Sequence, residues 1–180
     1  MPEAQLFTIE GFKSKFGDGA KLSLFYYRPN WPGGITQEIN ENDAIYLVKT
    51  ATMPSTTLEE TTLNWQGYDW KFAAKHTYSD VTINFNVDKE AKIRMLFEDW
   101  SNYIHDPVTN NYEVVANYMA DQKLQMLGYD GDVIMEFTLH HAWPKEVGQL
   151  SYDYASTEVA AFDVTFSYIY HTVSLTGTGE

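Results

Sequence analysis

Residues 81–104 read VTINFNVDKEAKIRMLFEDWSNYI, and the two periods a fold can be built from meet inside them. Val81, Ile83, Phe85 and Val87 alternate with Thr82, Asn84 and Asn86, the period-two pattern of a strand with one buried face. Asp88 then stands in N-cap position. Behind it Ile93, Leu96, Phe97, Trp100 and Ile104 recur at helical spacing and form one apolar stripe. The spacing predicts a helix that ends before Asp106-Pro107, because the residue preceding a proline disfavours the helical region.

Outward from this stretch the chain reads as strands and turns. On the N-terminal side, residues 1–20 read as an arm, and Leu22 to Tyr27 as a short strand ending at Arg28-Pro29. Residues 28–43, RPNWPGGITQEINEND, have no period and contain two Pro and two Gly, so they read as a loop. Ala44 to Ala51 reads as a second strand. Residues 57–79 carry β propensity throughout, with a turn signal at Gln66-Gly67 and aromatics at Trp65, Tyr68, Trp70 and Phe72. They read as a long hairpin whose polar-aromatic mix is too exposed in character for a core strand.

On the C-terminal side, strands are expected at about 112–118 and 121–127, followed by the Asp130-Gly131 turn. A strand over 133–139 sets Val133, Met135, Phe137 and Leu139 against Ile134, Glu136 and Thr138. The last strand, 159–170, sets Phe162, Val164, Phe166 and Tyr168 against Asp163, Thr165 and Ser167. The expected fold is mainly β: an antiparallel sandwich or barrel with one flanking α-helix and a long projecting hairpin. The expected organisation is an arm over 1–20, one β domain over 21–171 and a flexible tail over 172–180.

Composition narrows the function. A chain of 180 residues suits one domain with a full core. There is no cysteine, which excludes disulfides, thiolate nucleophiles and Cys-type zinc sites. The start, MPEAQLFTIEGF, lacks the basic-then-apolar pattern of a secretory leader, and no apolar run is long enough for a membrane-spanning helix. The formal net charge of −13 argues against tight nucleic-acid binding.

The chemical candidates are weak. His140 and His141 are adjacent in the stretch LHHAWPKEVGQL, residues 139–150. Successive strand side chains point to opposite faces, so the two cannot easily share one metal ion. Asp130-Gly131-Asp132 lacks the alternating oxygen ligands of a calcium loop. No phosphate-binding loop, nucleophile elbow or metalloprotease motif is present. The expectation is no catalytic residue, no cofactor and no metal. The hairpin aromatics, Trp65 and Trp70 foremost, suit either a sugar-stacking surface on a carbohydrate-binding sandwich or a surface buried against another chain.

The sequel to the histidines is more specific. In AWPKEVGQLSYDYASTEVAAFDVTFSYIY, residues 142–170, the order is Trp143-Pro144, Val147-Gly148, Leu150, Asp153, Glu158-Val159, Phe162, Val164-Thr165 and Tyr170. This resembles the C-terminal signature of the tail tube proteins of contractile-tailed bacteriophages. KTATMP (49–54) and FEDW (97–100) resemble the family's strand ending in proline and its single helix. The resemblance covers about residues 20–170; the 28–43 loop departs from it, where the family usually has a short connection. Pro144 supplies no ladder N–H and Gly148 permits a tight backbone, so Trp143, Pro144, Val147 and Gly148 read as a turn that aims the last strand.

The resemblance implies a hexameric ring in which each copy adds strands to one inner β-barrel. Rings would stack into a tube inside a contractile sheath, with the sheath, baseplate and tape measure proteins as partners. DNA would pass through without specific binding. Four strands from each of six copies give a backbone circle roughly 45–50 Å across, and roughly 35–40 Å between side chains, wider than a DNA duplex. Six copies at −13 give −78 per ring, a surface that would repel phosphate. On this reading Asp163, Thr165 and Ser167 face the lumen, and a hairpin tip of Asn64, Trp65, Gly67, Tyr68 and Trp70 joins stacked rings. The implied location is the virion tail, with assembly in the host cytoplasm. The tube of a phage-derived injection particle or bacteriocin, or a tube-initiating baseplate protein, would carry the same signature.

Overall fold

The computed structural model describes residues 9–17, 19–36 and 39–176. In chain order the elements are α1 (Ile9–Phe16), β1 (Phe25–Arg28), α2 (Glu41–Ile45), β2 (Val48–Ala51), β3 (Thr56–Trp65), β4 (Tyr68–Tyr78), β5 (Val81–Asn86), α3 (Lys92–Ile104), β6 (His105–Asp106), β7 (Asn111–Tyr112), α4 (Val115–Tyr118), β8 (Ala120–Leu127), β9 (Val133–Val147), β10 (Ala161–Ser167) and β11 (Tyr170–Leu175).

Seven strands form the main sheet, in the order β1-β8-β9-β10-β5-β2 with β11 also on β9, and every pairing is antiparallel. The 15-residue β9 belongs to two layers. Its first part, 135–140, lies between β8 and β11. Its last part, 143–147, pairs with β10. The change of layer falls at His141, whose φ of 57° takes the backbone out of the extended region. The result is a sandwich of β1-β8-β9-β11 against β9-β10-β5-β2, joined at this bend.

The core fills the space between the layers. Val81, Ile83 and Phe85 of β5 and Phe162, Val164 and Phe166 of β10 point inward, as their alternation requires. Tyr27, Leu124 and Leu139 face them from the other layer, and Ile93, Leu96, Phe97 and Trp100 of α3 complete the cluster. The Phe97 ring lies 5.1 Å from that of Phe85, 6.1 Å from Phe162 and 6.0 Å from Phe166. Truncation of a buried aromatic at such a position costs about 3–5 kcal/mol.

The 28–43 loop is a core cover rather than a solvated connection. Trp31, Pro32, Ile35 and Ile39 are buried, and the Trp31 ring meets Phe97 and Trp100 edge-on. Its entry is fixed by buried Gln122, whose Nε2 donates to Asn30 O at 2.7 Å and whose Oε1 accepts from Tyr27 Oη–H at 2.6 Å. Gly34 presses on α3 so closely that a Cβ would lie 2.2 Å from the Tyr103 ring. The loop's Pro and Gly residues thus stand beside apolar anchors that only packing reveals.

Several expectations change. Residues 9–16 of the arm are helical; residues 1–8 and 18 lie outside the described residues. Ala44 and Ile45 are in α2, capped by Asn40 Oδ1, and the strand begins only at Val48. Residues 115–118 form α4, not a strand. The long helix starts at Lys92 rather than directly after Asp88. The Asp88 carboxylate still serves that end by accepting from Ile93 N at 3.0 Å. Burial opposes its ionisation, but donation by the Ile93, Lys92 and Glu90 backbone outweighs this and holds it below the usual carboxylate range. The expected tail from 172 is strand β11 as far as Leu175, paired with β9 from Tyr170↔His140 to Leu175↔Met135. Residues 177–180 lie outside the described residues.

Candidate functional site: assembly surfaces

The hairpin is exposed along nearly its whole length. Among the described residues β3 and β4 pair only with each other, from Thr56↔Tyr78 to Trp65↔Tyr68, and every residue of both strands except Tyr78 is exposed. Gln66 and Gly67 turn the chain with φ of 50° and 84°, the doubly positive geometry of a type I′ turn. Ten residues of strand extend about 33 Å.

Pairing sorts the distal half into two unlike faces. Leu63, Trp65, Tyr68, Trp70 and Phe72 share one face with Thr61, whereas Asn64, Asp69, Thr62 and Lys71 share the other. On the polar face Asn64 Nδ2 donates to Asp69 Oδ1 at 2.8 Å and Lys71 pairs with Glu60 at 2.9 Å. The sequence reading therefore gathered residues from both faces: Trp65, Tyr68 and Trp70 offer apolar area, Asn64 locks the tip, and Gly67 makes the turn.

At its base the hairpin is held by His171 of β11. The two imidazole nitrogens lie 3.3 Å from Thr56 Oγ1 and 3.4 Å from Tyr168 Oη, and the ring packs on Tyr78 at 5.2 Å. Burial holds the imidazole below its ordinary pKa, and burial, followed by the charge of Asp80, pushes the Tyr168 phenol up to about 12.

The second surface is the polar face of β9-β10-β5-β2. Asp163 is exposed there, opposite Asn84, whose Nδ2 donates to Asp163 Oδ1 at 2.8 Å. Thr165 lies between Thr82, 3.2 Å away through the hydroxyls, and Glu146. Ser167 is half-buried opposite Trp143. Asn84 and Thr82 were legible as the polar face of their strand. Glu146 was not, because a bulge between Thr165 and Phe166 decides which β9 residues share this face. Among the described residues, no strand pairs with the outer edge of β2 or with the free edge of 143–147.

The segment Trp143–Gly148 is a correction. It is not a turn: Trp143, Pro144 and Val147 are strand residues paired with Ser167, Phe166 and Val164. Pro144 is tolerated because this stretch is an edge and sits at the bulge. The reversal comes after Gly148, whose N–H donates to Asp163 O at 2.7 Å and whose carbonyl accepts from Arg94. That Arg also pairs with Glu98 on α3.

The two histidines belong to a hydrogen-bond network at the bend. His140 Nδ1 lies 3.0 Å from Asp121 Oδ2 and Nε2 lies 2.9 Å from Thr172 Oγ1, so one ring ties β8, β9 and β11 together. Asp121 Oδ1 accepts from His141 N at 2.9 Å and fixes the bend. The His140 ring stacks on Tyr170 at 4.6 Å. Spacing in sequence could not reveal this, because the three partners come from three strands. Among the described residues no group of three His, Asp or Glu side chains converges in a metal-binding arrangement. No helix among them is long and apolar enough to cross a membrane.

Known proteins match this architecture. The family model described as phage tail tube protein matches residues 22–174. The "Tail tube protein" of Serratia phage KSP90 is 27% identical over 152 residues, covering 83% of this chain and 85% of the relative. The "Baseplate tail-tube junction protein gp54" of Enterobacteria phage T4 is 27% identical over 164 residues, covering 89% of this chain and 47% of the relative, so the chain spans about half of that protein. Among solved structures, a chain of the PVC extracellular contractile injection system sheath-tube complex shares the fold with a TM-score of 0.65 at 13% identity, over 94% of this chain and 99% of that one. The tube-terminating cap of the anti-feeding prophage gives 0.64 at 14% identity, over 87% and 91%. The chain belongs to the phage tail tube protein family.

Proposed function

We propose that this chain is a non-enzymatic, ring-forming subunit of a hollow tail tube, with six copies per ring and rings stacked inside a contractile sheath. The observation that carries the reading is the layer β9-β10-β5-β2, both of whose edges are unpaired among the described residues. It contributes four strands, an even number in strictly antiparallel order. If the β2 edge of one copy lies beside the 143–147 edge of the next, the junction is antiparallel too, and a ring can close with one uniform pattern. The apolar face of this layer is committed to the core, so its polar face, with Asp163, Thr165 and the edge of Ser167, becomes the lumen wall. A wall bearing Asp163 and Glu146 repels phosphate and leaves DNA free to slide.

In this reading the hairpin face of Trp65, Tyr68 and Trp70 joins successive rings, with Asn64 and Gly67 shaping its tip. The sheath, the baseplate and the tape measure protein are the remaining partners, and the protein belongs to the virion tail after assembly in the host cytoplasm. The tube of a phage-derived injection particle has the same mechanics, and the fold shared with the PVC and anti-feeding prophage chains supports it. Electron microscopy of the purified protein tests the proposal: hollow rings or tubes are expected, and solid particles or lasting monomers would overturn it. Removal of residues 64–68 should leave rings that do not elongate.

A further inference from the structure

The hairpin occupies one end of the β9-β10-β5-β2 layer. β2 leaves the layer at Ala51 and β5 enters it at Val81, and the neck between them is closed by Thr52 N to Thr82 O at 3.1 Å and Ser79 N to Ser55 O at 3.3 Å. The opposite end of the same layer lies about 20 Å away, the length of β5. There Asn86 N donates to Leu47 O at 2.7 Å and Val87 N donates to Ala160 O at 2.8 Å. Tyr46 and Val159 therefore flank the far end of β5. The 149–160 segment loops out between Gly148, bonded to Asp163, and Ala160, so both of its ends are held at this end of the layer.

That far end exposes large side chains among the polar residues of the segment. Tyr46, Tyr152, Tyr154 and Val159 are each 70% exposed or more. At the hairpin, Leu63, Trp65, Tyr68, Trp70 and Phe72 are 47–74% exposed. With about 150–250 Å² per aromatic side chain, each group offers roughly 600 Å² of contact area. That sum approaches the roughly 800 Å² per partner of a stable interface. The two areas match in size, and they sit at opposite ends of one rigid layer.

We infer that Tyr46, Val159 and the Tyr152–Tyr154 stretch of the 149–160 segment form the receiving surface for the apolar hairpin face of a second copy in the next ring. The inference rests on the ring-stacking reading of the hairpin and names its partner surface. Contact between unlike surfaces at opposite ends is heterologous, and along an axis it repeats without limit, which is what a tube requires. Each ring would dock several hairpins at once, so modest single contacts sum to a stable joint.

Two surface variants test this. The first carries Tyr152→Ser, Tyr154→Ser and Val159→Ser and keeps the hairpin; the second carries Trp65→Ser and Tyr68→Ser and keeps the loop. Circular dichroism first checks that both melt like the parent. Each variant alone should lose tube mass by about tenfold or more, as loss of aromatic anchors does at interfaces. Mixed as separately assembled rings, they should form ring pairs that stop at two, because only one pairing of good faces exists. Normal elongation by the loop variant with failure of the hairpin variant would overturn the receiving surface and leave the hairpin reading standing. Normal elongation by the hairpin variant would overturn both. A cysteine pair, Tyr68→Cys with Tyr154→Cys in the otherwise cysteine-free chain, gives an independent readout. Oxidised tubes should run as ladders longer than one ring, and failure to cross-link within intact tubes would refute the contact.

Discussion

Replacing Gly148 by Ala should destabilise the protein far more than its small size suggests. Its φ is not in the left-handed region, so backbone freedom is not the reason for glycine here. The reason is proximity: a Cβ would stand 2.9 Å from Asp163 O and 3.3 Å from Asp163 N. Both atoms are backbone, held by the Gly148 N to Asp163 O bond and by the pairing of β10 with β5, so neither can swing aside. Relief requires β9 and β10 to part by about half an ångström, and forced separations in packed structure cost about 1–3 kcal/mol. For a domain of this length each 1 kcal/mol moves Tm by about 2–4 °C, so a fall of about 2–12 °C is expected by circular dichroism. Gly128→Ala is the control. It also has an ordinary φ, and its Cβ would meet Ile134 Cδ1 at 3.5 Å, a normal contact. It should be neutral or raise stability by about 0.4–1 kcal/mol through the unfolded chain. A Tm for Gly148→Ala within 1 °C of the control, an interval small against the ~2–4 °C per kcal/mol scale, would refute the close-approach argument.

Four further outcomes are expected. Asp163→Lys with Thr165→Lys adds twelve positive charges per six-copy ring and removes six negative ones, so assembled tails should eject DNA slowly, less so as salt rises; normal ejection in low salt would remove this face from the lumen. His140→Gln should lose about 1–2 kcal/mol in denaturant unfolding, as a network joining three strands is cut, whereas His141→Gly, which suits a φ of 57°, should be neutral or stabilising. Because burial depresses the His171 pKa in the fold, its neutral form is the favoured one; its contribution is full above the ordinary histidine range and is lost as pH falls through the folded value. Melting temperature should therefore decline on acidification from neutrality, and His171→Phe should remove that part of the decline while leaving the later loss in the carboxylate range. Elemental analysis should find no stoichiometric metal, in the parent or in a His140→Gln, His141→Gln double variant; a bound metal lost from the variant would reassign the bend.

The sequence by itself determined the elements whose periodicity is strong and local. Val81 to Asn86 and the Ile93–Trp100 stripe follow from alternation and helical spacing, and both bury the residues predicted. The hairpin followed from its turn dipeptide, and the family from the Trp143–Tyr170 order. Tertiary structure decided everything that depends on partners distant in the chain. The loop at 28–43 became a core cover because Phe97 and Trp100 offer Trp31 a place to pack. Strand β9 continued through Trp-Pro because an edge strand has no inward N–H to lose, and it bent instead at His141, where Asp121 holds the backbone. The 172–175 segment became a strand because β9 offered it an edge and the His140 imidazole a partner for the Thr172 hydroxyl. Local propensity is a property of a few neighbouring residues, whereas an edge, a bulge or a close backbone approach exists only when two segments meet, and that meeting is written in no single stretch of sequence.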